Sequence, residues 1–177
     1  MTNTKDDNWG WVRGGNNYRS ANEIIHNLID STSKGGNFVV NVGPTASGDF
    51  PEQHVALVNT VGAWLDVNGA AIYGTEPAPE CKPEAKNDFR CFTTKKGHSI
   101  YLHVLQWPNS KLPGTVTVSR GDLVKCELLD AKFKGLKVST KKAGSLTTLT
   151  IQRPETIDPY ATVIKLTFEK AVSSQPE

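Results

Sequence analysis

The most restrictive feature of this chain is a single continuous apolar run, residues 38–42 (Phe-Val-Val-Asn-Val), set between two helix signals. A run without alternation suits a strand covered on both faces, as in a parallel sheet. Ahead of it, Ser20 and Glu23 have capping-box spacing, and Ile24, Ile25, Leu28 and Ile29 then share one helical face. Lys34-Gly35-Gly36 supplies the stop. Behind the run, Gly43-Pro44 ends the strand, a polar loop covers 45–50, and Pro51 stands at the first position of a second helix. Val55, Val58, Gly62 and Leu65 read as its apolar face, and Asn68-Gly69 closes it. Helix, strand, helix is an α/β order. Yet one parallel strand has no neighbour for its backbone groups, so residues 20–74 are read as part of a larger unit.

The chain changes character near residue 78. Residues 75–88 (TEPAPECKPEAKND) hold three prolines among alternating charges, and 79–88 is read as a linker. Beyond it the apolar period becomes two. Strands are expected at 89–94, 99–107, 115–119, 124–129, 136–140, 146–152 and 162–168, separated by turn signals such as Lys96-Gly97, Pro113-Gly114, Lys134-Gly135 and Ala143-Gly144. Seven short strands at this spacing predict an antiparallel β-sandwich over 89–170. Residues 171–177 are expected to be a disordered tail.

Length adds a bound. At 177 residues the chain is too short for a complete (β/α)8 barrel, which takes about 250. The 20 basic and 18 acidic residues nearly cancel, so no electrostatic argument favours nucleic acid or an anionic membrane. No run approaches the ~20 apolar residues of a membrane span, and the first eleven residues carry no signal-type apolar stretch. Cys81, Cys91 and Cys126 form no CxxC and have no histidine at zinc-site spacing; no metal or cofactor is expected. Three mostly buried free thiols is the favoured reading, with pairing of Cys81 and Cys91 left open. His26, His54, His98 and His103 lack partners at triad or metal spacing and read as structural or surface residues.

Several motifs in one order carry a resemblance. They are Asn8-Trp9-Gly10-Trp11, Tyr18-Arg19-Ser20-Ala21, the stretch Ser-Lys-Gly-Gly-Asn-Phe-Val-Val-Asn-Val-Gly-Pro over 33–44, and Val-Asn-Gly-Ala-Ala-Ile-Tyr-Gly-Thr over 67–75. Together they resemble the C-terminal part of α-L-fucosidases of glycoside hydrolase family 29. Residues 89–108, ending in Gln106-Trp107-Pro108, resemble the start of that family's β-sandwich. The resemblance implies a (β/α)8-like barrel followed by a sandwich, with 1–78 the last part of the barrel and 38–42 its final strand. It also implies a retaining hydrolase that releases terminal L-fucose from glycans or small fucosides, using two carboxyl groups about 5 Å apart. Full-length members are often secreted, periplasmic or lysosomal. By the family's pattern the nucleophile aspartate and the acid/base glutamate precede the Met1-Thr2 position, so neither maps onto a residue of this chain. The chain alone is therefore expected to be inactive, or active only in an assembly that builds a site. The alternative is a non-catalytic sandwich module with a structural or carbohydrate-binding role.

The remaining candidates are few. Asp6 with Asp7, and Asp49 with Glu52, are the fallback carboxylates. Adjacent aspartates on an extended segment point opposite ways, and Asp49 and Glu52 sit where helix capping would occupy them. Trp9 and Trp11 could stack on a pyranose face. Asn41, at the C-terminal end of the strand where barrel enzymes keep their sites, could bond a sugar or hold a loop. The strand edge and the helix faces are expected either to drive self-association or to collapse onto the sandwich.

Overall fold

A computed structural model describes residues 18–108 and 112–173, and the backbone of 2–4. The elements are β1 (Thr2–Thr4), α1 (Ala21–Ser33), β2 (Val39–Asn41), α2 (Glu52–Asn68), a 3-10 turn (Gly69–Ala71), and β3 (Glu76–Pro77). Then come β4 (Cys81–Pro83), β5 (Arg90–Lys96), β6 (Ser99–Gln106), β7 (Gly114–Val118), β8 (Leu123–Leu128), β9 (Lys137–Ala143), β10 (Leu146–Gln152) and β11 (Thr162–Phe168).

The seven expected strands are β5 to β11, each within a few residues of its anticipated bounds. Two antiparallel sheets face each other, ordered β4-β7-β10-β9 and β3-β5-β6-β11-β8. Alternation decides which side chains enter between them. From β6, Ile100, Leu102 and Val104 point inward; from β11, Ile164, Leu166 and Phe168; from the opposite sheet, Val116, Val118, Leu149 and Ile151. Each such side chain taken fully from water contributes roughly 1.5–3 kcal/mol.

The other face of the five-stranded sheet is not solvated. Tyr101 and Val163 on that face, with Phe92 and Leu105, pack against Ile25 and Ile29 of α1 and Trp64 of α2. The helix pair is thus a third layer on the sandwich. Helix α1 begins as read: the Glu23 N–H donates to Ser20 Oγ (3.2 Å), and the Ser20 N–H donates to Glu23 Oε2 (2.7 Å). It ends in a Schellman arrangement, with Gly36 N–H to Ser31 O (2.8 Å) and Gly35 N–H to Thr32 O (2.9 Å). Gly35 sits at φ +75°, where a side chain is strained. Both helices are also tied to one loop. His26 donates from Nε2 to Tyr160 O (2.8 Å), and Trp64 donates from Nε1 to Ala161 O (3.3 Å). Asp158 holds that loop by accepting the N–H groups of Tyr160 (2.8 Å) and Ala161 (3.2 Å).

Four expectations need correction. First, the strand at 38–42 is not alone: β1 pairs with β2 in parallel, with Asn3 opposite Val40. Three-residue strands give too short a pattern to read. Second, the stretch 79–88 is not a free linker. It contains β4, which pairs with β7, and Ala78 and Cys81 enter the inter-sheet core. Proline is tolerated there because β3 and β4 are edge strands. Third, the buried face of α2 is His54, Trp64 and Asn68, with Val61 and Leu65 partly covered; Val55 and Val58 stay exposed, and Pro51 is the N-cap rather than the first helical residue. Trp64 offers more apolar area than either valine and so sets the docking direction. Fourth, the tail is packed at its start. Val172 is buried, and its N–H donates to Gly97 O (2.7 Å). Residues 174–177 lie outside the described residues.

Candidate functional site

The end of the fold that the sequence points to is the C-terminal end of β2. Asn41 closes that strand opposite Thr4 and is half-buried. Gly43 and Pro44 turn the chain into loop 45–50, which closes on itself. Thr45 N–H donates to Asp49 O (2.8 Å), Gly48 N–H to Thr45 O (3.0 Å), and Ser47 Oγ to Asp49 Oδ2 (3.0 Å). Asp49 is therefore a turn-closing residue, and no side-chain hydrogen bond caps α2. Glu52 follows in the first turn, exposed, where its charge favours the helix dipole.

Beside this loop lies a pocket of about 210 Å³ lined by Val42, Phe50, His54, Val55, Val58 and Asn59. His54 is buried, and the ring of Tyr18 meets it edge-on at 5.1 Å. The sequence reading placed His54 among structural or surface residues. Its place on the pocket wall had no signal beyond the neighbouring Phe50-Pro51.

The chain brings Asn41, Asp49 and Glu52 to one end of the helix layer. Asp49 and Glu52 are both exposed, and Asp49 already accepts from Ser47. Asp6, Asp7, Trp9 and Trp11 lie outside the described residues. Among the described residues no group of three or more His, Cys, Asp and Glu side chains is placed to hold a metal ion. No helix among them is long and apolar enough to cross a membrane.

His103 is buried on the helix-facing side of β6, apart from this pocket. Thr94 Oγ1 lies 2.9 Å from its Nε2 and donates to Ala71 O (2.8 Å). Burial pulls His103 down to about 3. It is a neutral packing residue of the helix–sheet junction and faces the helices, not the inter-sheet core.

Comparison with known proteins gives these features a context. The family profile described as "Alpha-L-fucosidase" matches residues 1–70. Tissue alpha-L-fucosidase of Macaca fascicularis is 32% identical over 174 residues, covering 92% of this chain and 35% of that protein. The alpha-L-fucosidase of Branchiostoma floridae is 36% identical over 107 residues, covering 58% and 23%. Among solved structures, the alpha-L-fucosidase from Vibrio sp. strain EJY3 superposes with a TM-score of 0.80 at 27% identity, over 96% of this chain and 30% of that one. The Thermotoga maritima alpha-fucosidase does so at 0.74 and 26%, over 94% and 39%. The chain thus spans between 23% and 39% of the length of these relatives. Its antiparallel sandwich with two docked helices matches the C-terminal sandwich of these enzymes, and the motif order read from the sequence agrees. The chain belongs to the α-L-fucosidases of glycoside hydrolase family 29 and corresponds to the C-terminal portion of its members.

Proposed function

We propose that this chain is the segment of a retaining α-L-fucosidase that carries the last part of the catalytic barrel and the sandwich that braces it. The domain reading is a barrel segment ahead of β3, and a sandwich that begins with β3 and β4 and runs to about residue 170. The whole protein would release terminal L-fucose from a fucosylated glycan or a small fucoside. The observation that carries this reading is an uncovered apolar face. Phe50 is 54% exposed, Val55 46% and Val58 48%, and the three line one open pocket at the start of α2. Contiguous exposed apolar side chains mark a surface built to be covered. Further parallel strands and helices of a barrel would cover it. Asn41, and Trp9 and Trp11 preceding it in the chain, would then border the barrel mouth, with the catalytic carboxylates supplied from outside this chain.

On this reading the isolated chain does not turn over substrate, and its bare face drives self-association. The test is incubation with a chromogenic α-L-fucoside. The expected result is no release above background. Turnover that is abolished by mutating Asp6 and Asp7 together, or Asp49 and Glu52 together, would overturn it. Sugar binding by calorimetry without turnover, centred on the sandwich, would favour the non-catalytic module instead.

A further inference from the structure

Two of the three cysteines converge on one place in the core. Cys81 lies on β4 at the edge of the four-stranded sheet, and Cys91 lies on β5 in the facing sheet. Both side chains belong to the same inter-sheet cluster, Cys81 within it and Cys91 packed against it. The segments that carry them are pinned across the gap by two contacts. Thr93 Oγ1 donates to Ala78 O (3.4 Å), and Lys95 Nζ pairs with Glu80 Oε1 (3.2 Å). The two thiols also sense each other: burial first, and then the neighbouring Cys81, push the Cys91 thiol well above its ordinary range. Both cysteines are reduced, with Cys91 Sγ 3.5 Å from Phe92 O.

Cys126 is excluded from pairing with Cys91 by topology. It lies on β8, with β6 and β11 between it and β5. Three strand spacings make about 14 Å, beyond the ~7 Å between Cα atoms that a disulfide spans.

We propose that Cys81 and Cys91 form a cross-sheet disulfide when the chain folds in the presence of a small-molecule disulfide such as oxidised glutathione. One cysteine thiolate attacks the small disulfide and releases one thiol as a mixed disulfide forms. The second cysteine then displaces the other small thiol. Two protein thiols and one small disulfide thus become one protein disulfide and two small thiols, with electrons and protons balanced. Burial keeps both sulfurs protonated in the finished fold and slows the attack, so the link forms as β4 and β5 come together during folding. Once made, it staples the two sheets at the edge where β3 and β4 leave one sheet for the other.

The test is refolding of the full chain with oxidised and reduced glutathione, followed by alkylation and tryptic mapping. The expected result is one remaining thiol, at Cys126, and peptide 91–95 joined to the peptide ending at Lys86 with loss of two hydrogens. The Cys126→Ala variant should then retain no thiol, and Cys91→Ala should retain two. The 81–91 share of all linked species should be several-fold higher in native buffer than in urea, because folding selects the pair. Three free thiols, a link to Cys126, glutathione left on either residue at the end, or equal shares in buffer and urea would each overturn the proposal.

Discussion

Thr94 and His103, diagonal neighbours on β5 and β6, share one hydrogen bond whose direction is set by a third group. The Thr94 hydroxyl has a single proton, and it goes to Ala71 O, because a carbonyl can only accept. His103 must therefore donate from Nε2 to Thr94 Oγ1, and Nδ1 is left bare, buried and without a hydrogen-bond partner among the described residues. The relay runs from β6 through β5 to the turn that ends α2, so it joins the sandwich to the helix layer.

This relay predicts acid sensitivity. His103 is held at about 3 in the fold, chiefly by burial, against 6.5 for the exposed imidazole. Between those values the unfolded chain binds a proton that the folded chain refuses, so stability rises with pH across that window and is lost as pH falls through it. The slope is at most about 1.4 kcal/mol per pH unit. His103→Gln keeps a donor toward Thr94 and removes the titration. Thermal melts from pH 7 to pH 4 should show a shallower decline for the variant; an unchanged slope would refute the assignment.

Gly114 predicts a packing limit. A Cβ built there would stand 2.5 Å from Phe89 Cε2, and Phe89 is itself buried against Trp107 at 6.0 Å between centroids. Gly114→Ala should lower stability by about 1–3 kcal/mol in denaturant titration. Adding Phe89→Leu should recover part of that loss, which a defect confined to the backbone of β7 would not allow.

The C-terminal exit predicts a local effect. Arg120 grips Asp122 with two hydrogen bonds (2.9 and 2.6 Å), reaches Lys170 O and Ala171 O, and lies 5.2 Å over the Phe168 ring. The Arg120 hydrogen bond is the main cause that holds the Asp122 carboxyl at about 2, below its ordinary 3.8. A depressed carboxylate contributes stability above its unfolded pKa and loses it as pH falls from about 4 toward 2. Asp122→Asn should raise amide exchange at Lys170 and Val172 in hydrogen-exchange spectra while leaving β6 amides protected. Uniform loss of protection would show a global role instead.

The bare face of α2 predicts a solubility effect. Val55→Lys together with Val58→Lys touches neither buried cluster. Light scattering should show less association than for the parent chain, with the melting midpoint unchanged within a degree or so, as expected of surface changes within ±0.5 kcal/mol. Equal association would mean that another surface carries it.

The sandwich was legible because its strands alternate and its turns carry glycine. On β6 alone, Ile100, Leu102 and Val104 separate cleanly from Tyr101 and His103. What the pattern could not say was that the second face is covered too. Tyr101 on a strand looks the same whether it meets water or Ile29. Helix α1 was legible down to its caps, since Ser20, Glu23 and Gly35 act through local geometry. Helix α2 was not, because it is apolar on two faces and only tertiary docking of Trp64 chooses between them. The strands β3 and β4 were hidden by Pro77 and Pro83, which suit an edge but mimic a linker. At the candidate site, the Ser47 bond that occupies Asp49 depends on the shape of its loop, which no local pattern encodes.

The loop at 158–161 receives the ring N–H of His26 and of Trp64 on two consecutive carbonyls, Tyr160 and Ala161. Two consecutive carbonyls belong to one short stretch of backbone and cannot be re-aimed separately. One dipeptide thus indexes both helices to the sandwich, much as one key in a shaft sets the angle of a wheel. Grafting this sandwich onto another helix pair would require carrying that dipeptide and the Asp158 that holds it, or the two parts would meet at the wrong angle.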